Sequence, residues 1–205
     1  SGQSIRNKLK ISSGTKILLI LSVFPSGITR IYPNYSPYQY MEMIFKVLIE
    51  MEDKWKVIFR PHPSVPAFWV SALARHSNID LYYDQQNLKL EDAVATSDVI
   101  IANPSTTVIE AMFQKKPILF CDFASEGKAY SYSWWPLVES SAVKLFNTKS
   151  QLNMLIRKSI HNQCFLKDML RHQHLFLNDY CSIDSKPATS RVASLINNTC
   201  PQKEY

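Results

Sequence analysis

The sequence predicts an α/β fold, a doubly wound parallel sheet of about six strands, on three observations. Two residue periods alternate from Lys16 onward, with strand-length apolar runs giving way to segments of helical spacing. The first strand, "KILLILSVF", is apolar at successive positions rather than at every second one, the pattern of a strand covered on both faces. Strands that alternate with helices form right-handed βαβ units and therefore a parallel, Rossmann-like sheet.

The elements follow in order. After "KILLILSVF" and a Pro- and Tyr-rich loop, "YQYMEMIFKVLIEME" sets Met41, Ile44, Phe45, Leu48 and Ile49 on one helical face. Strand "WKVIF", helix "PAFWVSALARH", short strand "IDLYY" and helix "LEDAVATS" come next. Strand "DVIIA", helix "TTVIEAMFQK", strand "PILFCDF" and strand "AVKLF" complete the sheet. The remainder reads as a helix from Ser150 to about His161, another from Phe165 to about Tyr180, and a short closing helix near "SRVASLIN". No internal repeat or low-complexity linker interrupts this series. The expected organisation is one Rossmann-like domain over 14–198, with 1–13 as a tail or a remnant of trimming and 199–205 as a second tail.

Composition narrows the class. A chain of 205 residues with 46% hydrophobic and 20% charged residues has enough apolar surface to bury a core and is not a disordered segment. The run from Ile17 to Phe24 is too short to span a bilayer, and the polar opening Ser1-Gly2-Gln3 is neither a signal peptide nor an initiator. A cytoplasmic domain cut from a longer protein is expected, with room for peripheral association at the inner face of the cell membrane. The net charge of +6 favours anionic partners, but Lys and Arg are scattered and form no nucleic-acid arm. Cys121, Cys164, Cys181 and Cys200 lack any CxxC spacing and read as reduced thiols. His161, Cys164, His172 and Cys181 could make up a zinc set, yet histidines on a solvated helix face account for the pattern more simply, so neither a metal nor a cofactor is expected.

In a doubly wound sheet ligands bind at the carboxyl ends of the strands, and three of those ends are unusual. Pro25-Ser26-Gly27 follows the first strand, Arg60-Pro61-His62-Pro63 the second, and Asn103-Pro104-Ser105-Thr106-Thr107 the fourth. The two prolines hold His62 extended on a stiff backbone. A turn histidine with no ligand is one reading. The other is an imidazole that, with Arg60 nearby, donates hydrogen bonds to a phosphate and balances charge on a departing nucleotide. Thr107-Val108-Ile109-Glu110 fits a capping box. The hydroxyls of Ser105, Thr106 and Thr107 also sit where helix amides and the helix dipole favour an anion, and a carboxylate one turn on can accept from a ribose diol.

"FRPHP", followed by "SDVIIANPSTTVIEAMFQKKPILF", resembles the C-terminal, donor-binding half of two-domain (GT-B type) glycosyltransferases, chiefly bacterial ones that build capsules, teichoic-acid-like polymers and related surface glycans. A His-Pro pair followed by a Ser/Thr pair is similar to the pattern of bacterial sialyltransferases, 3-deoxy-manno-octulosonate (Kdo) transferases and CDP-glycerol glycerophosphotransferases, which use cytidine-nucleotide donors. The resemblance spans roughly Lys54 to Phe123. It implies that His62 contacts the donor phosphate as the catalytic residue, with Arg60, Ser105, Thr106 and Thr107 binding the same phosphate and Glu110 the ribose. Ser26 and Gly27 would be what remains of a glycine-rich donor loop. It further implies a CMP- or CDP-linked donor, a glycan acceptor, and an N-terminal acceptor domain that supplies the base, since no acidic catalytic motif precedes "FRPHP".

"SEGKAYSYSWWP" reads either as a loop packing its aromatics on neighbouring helices or as a wall for the base, the sugar or a missing domain. No G-x-S-x-G elbow or G-x-G-x-x-G fingerprint is present. Two alternatives stand beside the transferase: half of a sugar-nucleotide epimerase, and a non-catalytic docking module of a polysaccharide assembly complex.

Overall fold

The computed structural model describes residues 2–21, 36–62, 67–103, 105–121, 135–181 and 189–190. Six strands, β1 (Lys16–Leu21), β2 (Trp55–Arg60), β3 (Leu81–Tyr83), β4 (Val99–Ala102), β5 (Ile118–Cys121) and β6 (Lys144–Phe146), form one sheet in the order β3-β2-β1-β4-β5-β6. Every neighbouring pair is parallel. The chain order reverses beside β1, between its neighbours β2 and β4. The expected sheet is therefore present, with the expected strand number.

Successive residues along each strand enter two different cores. Leu18, Ile20, Val57, Phe59, Val99, Ile101, Leu119 and Cys121 pack under α2 (Pro37–Ile49), α3 (Trp69–His76) and α7 (Lys149–His161). Ile17, Leu19, Leu21, Ile58, Ile100, Ala102, Ile118 and Phe120 pack under α1 (Gly2–Lys8), α4 (Leu90–Thr96), α5 (Thr106–Phe113) and α8 (Gln163–Cys181). A strand alternates its faces at every residue, so a sheet covered by helices on both sides requires runs with no polar alternation. A short helix, α6 (Trp135–Glu139), precedes β6. Helix α8 passes from one layer to the other: Phe165 packs against the first core, Phe176 and Leu177 in the second. Between them the buried Gln173 donates from Nε2 to the carbonyls of Lys116 (2.9 Å) and Ala142 (3.2 Å), tying the helix to the chain just before β5 and β6.

Residues 1–13 do not form a tail throughout. Helix α1 buries Ile5, and Arg6 donates to the Thr15 carbonyl at 3.1 Å and meets the Asp98 carboxylate at 3.4 Å. Asp98 also accepts from the Ile17 amide at 2.7 Å. Ile5, with Leu9 and Ile11 packed against the same core, and one long-range ion pair hold a segment too polar to show a helical stripe. Of the predicted closing helix, only residues 189–190 are described, as helix; 199–205 and Cys200 lie outside the described residues.

Lys116, at the same edge, donates from Nζ to the carbonyls of Ala95 and Ser97, both at 2.8 Å. Burial holds its pKa below the ordinary 10.5, against the opposing pull of Asp98 and with a smaller lowering from Arg6. The unfolded chain therefore keeps a proton that the folded chain has already released, so the Lys116 contribution to stability should increase as pH rises toward 10.5. Melting temperatures measured across alkaline pH should show that slope in the wild type and a flatter one in Lys116→Met.

Candidate functional site

The carboxyl ends of β1 and β2 and the start of α5 enclose a cleft of about 260 Å³ lined by Leu21, Arg60, Pro61, His62, Gln86, Leu90 and Thr107. It lies where the strand order reverses, the position at which open α/β sheets bind ligands. Strand β2 delivers Arg60 as its last residue, Pro61 ends the strand, and His62 stands exposed at the rim. Leu21 and Leu90 supply apolar walls. Gln86 holds a left-handed backbone (φ 65°) in the turn between β3 and α4, a conformation uncommon for a residue with a side chain.

Arg60 is not a loose cation. Its Nη1 donates to the Asp84 carboxylate at 2.6 Å and to the Leu88 carbonyl at 2.7 Å. The Asp84 side chain is fully buried; its other oxygen accepts from the Leu88 amide at 3.2 Å, and its own amide donates to the Phe59 carbonyl at 2.8 Å. Asp84 is thus the residue that sequence reading passes over. A signal for it exists: Lys56 and Asp80 pair across the same two strands at the same 24-residue separation.

The capping-box reading of Thr107 and Glu110 is corrected. Helix α5 begins at Thr106, with Ser105 as its extended N-cap (φ −163°, ψ 163°), so Thr107 lies inside the first turn and Glu110 is too far along to return a bond. No side chain caps the helix; the Ser105 hydroxyl bonds to that of Thr107 instead. A helix start without a side-chain cap keeps its first amides for water or an anion. A box-like cap does form at α7, where Thr148 accepts from the Gln151 amide at 3.2 Å and Gln151 Oε1 accepts from the Asn147 amide at 2.9 Å.

Of the sequence-predicted site residues, the fold brings Arg60, His62 and Thr107 onto one cleft, with Ser105 joined to it through Thr107. Thr106 and Glu110 are exposed on α5 outside that lining. Ser26, Gly27 and most of "SEGKAYSYSWWP" lie outside the described residues. His161 meets Asp53 at 3.2 Å and His172 meets Asp168 at 3.5 Å, and among the described residues no cluster of three metal-ligating side chains gathers.

Comparison with known proteins bears on the fold and the family. No curated protein matches the chain. Among solved structures it is similar to the C-terminal CMP-Kdo binding domain of WaaA from Acinetobacter baumannii, with a TM-score of 0.56 and 12% identity over 86% of this chain and 95% of that one. The wall teichoic acid polymerase TagF is similar with a TM-score of 0.63 and 15% identity, over 96% of this chain but 46% of that one. A protein from Listeria monocytogenes assigned as a UDP-N-acetylglucosamine 2-epimerase gives a TM-score of 0.54 and 17% identity, over 80% of this chain and 41% of that one. These likenesses establish the fold, and this chain spans under half the length of the polymerase and the epimerase. The family described as CDP-Glycerol:Poly(glycerophosphate) glycerophosphotransferase matches over residues 1–198. The chain therefore belongs to the CDP-glycerol:poly(glycerophosphate) glycerophosphotransferase family, a family of transferases.

Proposed function

We propose that this chain is the donor-binding half of a transferase that builds a bacterial surface polymer such as a capsule, with a CMP- or CDP-linked donor. The observation that carries the reading is the meeting of Arg60, His62 and Thr107 on one cleft at the switch point of the sheet. An arginine fork, an imidazole and an uncapped helix start are three kinds of donor suited to phosphate oxygens. His62 would donate to the donor phosphate and offset the charge that grows on the departing nucleotide. Ser105 and Thr106 would add hydroxyl or amide donors at the start of α5, and Glu110, one turn further, would accept from the ribose. Ser26 and Gly27, outside the described residues, are proposed as further donor contacts on their place in the sequence alone. The cytidine preference is supported by the family's CDP-glycerol substrate and by the CMP-Kdo domain that shares the fold. The glycan acceptor and the base would come from an N-terminal acceptor domain, with peripheral attachment at the inner face of the membrane.

A nucleotide panel read by thermal shift tests the reading. A ligand that binds only the folded chain stabilises it by about 2.7 kcal/mol at a hundredfold excess over Kd. CMP or CDP should raise the melting temperature most, UDP less, and purine nucleotides least. A purine giving the largest shift would remove the donor assignment while leaving the fold untouched.

Glu110→Gln separates the ribose role from a passive one. The carboxylate is exposed and makes no bond to the described residues, so stability should hold in the variant. CMP affinity should fall several-fold if Glu110 accepts from the ribose, since a charged acceptor is replaced by a neutral one. Isothermal titration of both proteins with CMP and with a 2′,3′-dideoxy analogue reads the difference.

A further inference from the structure

We infer that Asp84 is a positioning residue of the donor site, the buried carboxylate that holds the Arg60 guanidinium and the Gln86 turn in the places from which they face the ligand. The inference rests on the donor-site reading above and adds to it a residue outside the cleft lining. Its two oxygens grip the two walls of the cleft: one meets Arg60 Nη1 at the end of β2, the other takes the Leu88 amide that closes the 84–88 turn carrying Gln86. Arg60 completes the circuit by donating to the Leu88 carbonyl.

A guanidinium has five N–H donors in a rigid plane, so committing Nη1 fixes the direction in which the others point. With Nη1 held, Arg60 presents what remains of its fork to the cleft without first losing side-chain freedom on binding. A full ion pair is a wasteful way merely to fill this space, because a buried pair can often be replaced by apolar residues without loss of stability. Its presence beside a ligand cleft is explained by orientation.

That contrast supplies the test. In Arg60→Met/Asp84→Leu the pair becomes apolar, and in Asp84→Asn the carboxylate becomes a near-isosteric amide. The probe is CDP, titrated calorimetrically well below each melting temperature. The double variant should melt within a few degrees of wild type yet bind CDP at least about tenfold more weakly, the loss expected for one charged hydrogen bond. Asp84→Asn should also weaken CDP binding, but should cause no further weakening once Arg60 is already methionine, because the asparagine oxygen can still accept from the Leu88 amide and only the hold on Arg60 is lost. Unchanged CDP affinity in either the double variant or a folded Asp84→Asn would overturn the inference and mark the pair as purely structural. A wild-type chain that binds no nucleotide at millimolar concentration removes the donor reading itself, and this inference with it.

Discussion

Arg60→Ala is expected to lower the stability of the chain by about 3–5 kcal/mol, because it strands the Asp84 carboxylate in a fully buried position without its cation. At roughly 2–4 °C per kcal/mol for a chain of this size, the melting temperature should fall by on the order of 10 °C. The companion pair Lys56–Asp80 provides an internal control, since it bridges the same strands with Asp80 65% exposed. Lys56→Ala leaves the Asp80 carboxylate in water, so loss of the ion pair itself should cost at most about 1 kcal/mol. Urea unfolding of the two variants side by side checks both values. Equal losses would mean that burial does not separate the two bridges.

His62→Ala is expected to remove most of the stabilisation that CMP or CDP gives, while leaving the melting temperature of the free chain nearly unchanged. The side chain is exposed at the rim of the cleft and adds little to either core, so its deletion has a small structural cost. A charge-assisted hydrogen bond to phosphate contributes about 1.5–3 kcal/mol, which corresponds to roughly a ten- to hundredfold rise in Kd. Titration with CDP measures it directly. Wild-type affinity in the variant would assign His62 to the turn alone and shift the phosphate role to Arg60 and the start of α5.

The sheet could be read from the sequence because its signal is local. Ile17 to Leu21 and Val99 to Ala102 are apolar without interruption, and only a strand covered on both faces requires that. The strand ends could be read for the same reason, since Pro61 and the Ser105-Thr106-Thr107 run mark where regular structure stops or begins. What escaped depends on partners distant in the chain. Asp84 follows two tyrosines in "YYDQQN", where an aspartate normally signals a solvated turn, and its burial depends on Arg60, 24 residues earlier. Helix α1 depends on Asp98, 92 residues away from Arg6. The cap of α5 was misplaced because Thr107 and Glu110 have the spacing of a capping box, while the backbone turns into the helix two residues before a Thr107 cap would allow. Leu21, Gln86 and Leu90 carry no motif of their own and become part of the cleft only through the topology.

The two outermost strands, β3 and β6, are each three residues long. An edge strand carries unpaired amides and carbonyls that another chain can extend, and such short edges leave little ladder to extend. The outer flanks of this domain are therefore poor templates for strand addition. Thus apolar strand runs such as Ile17 to Leu21 stay enclosed in the middle of the sheet, and the sheet runs out where little backbone is left for another chain to pair with.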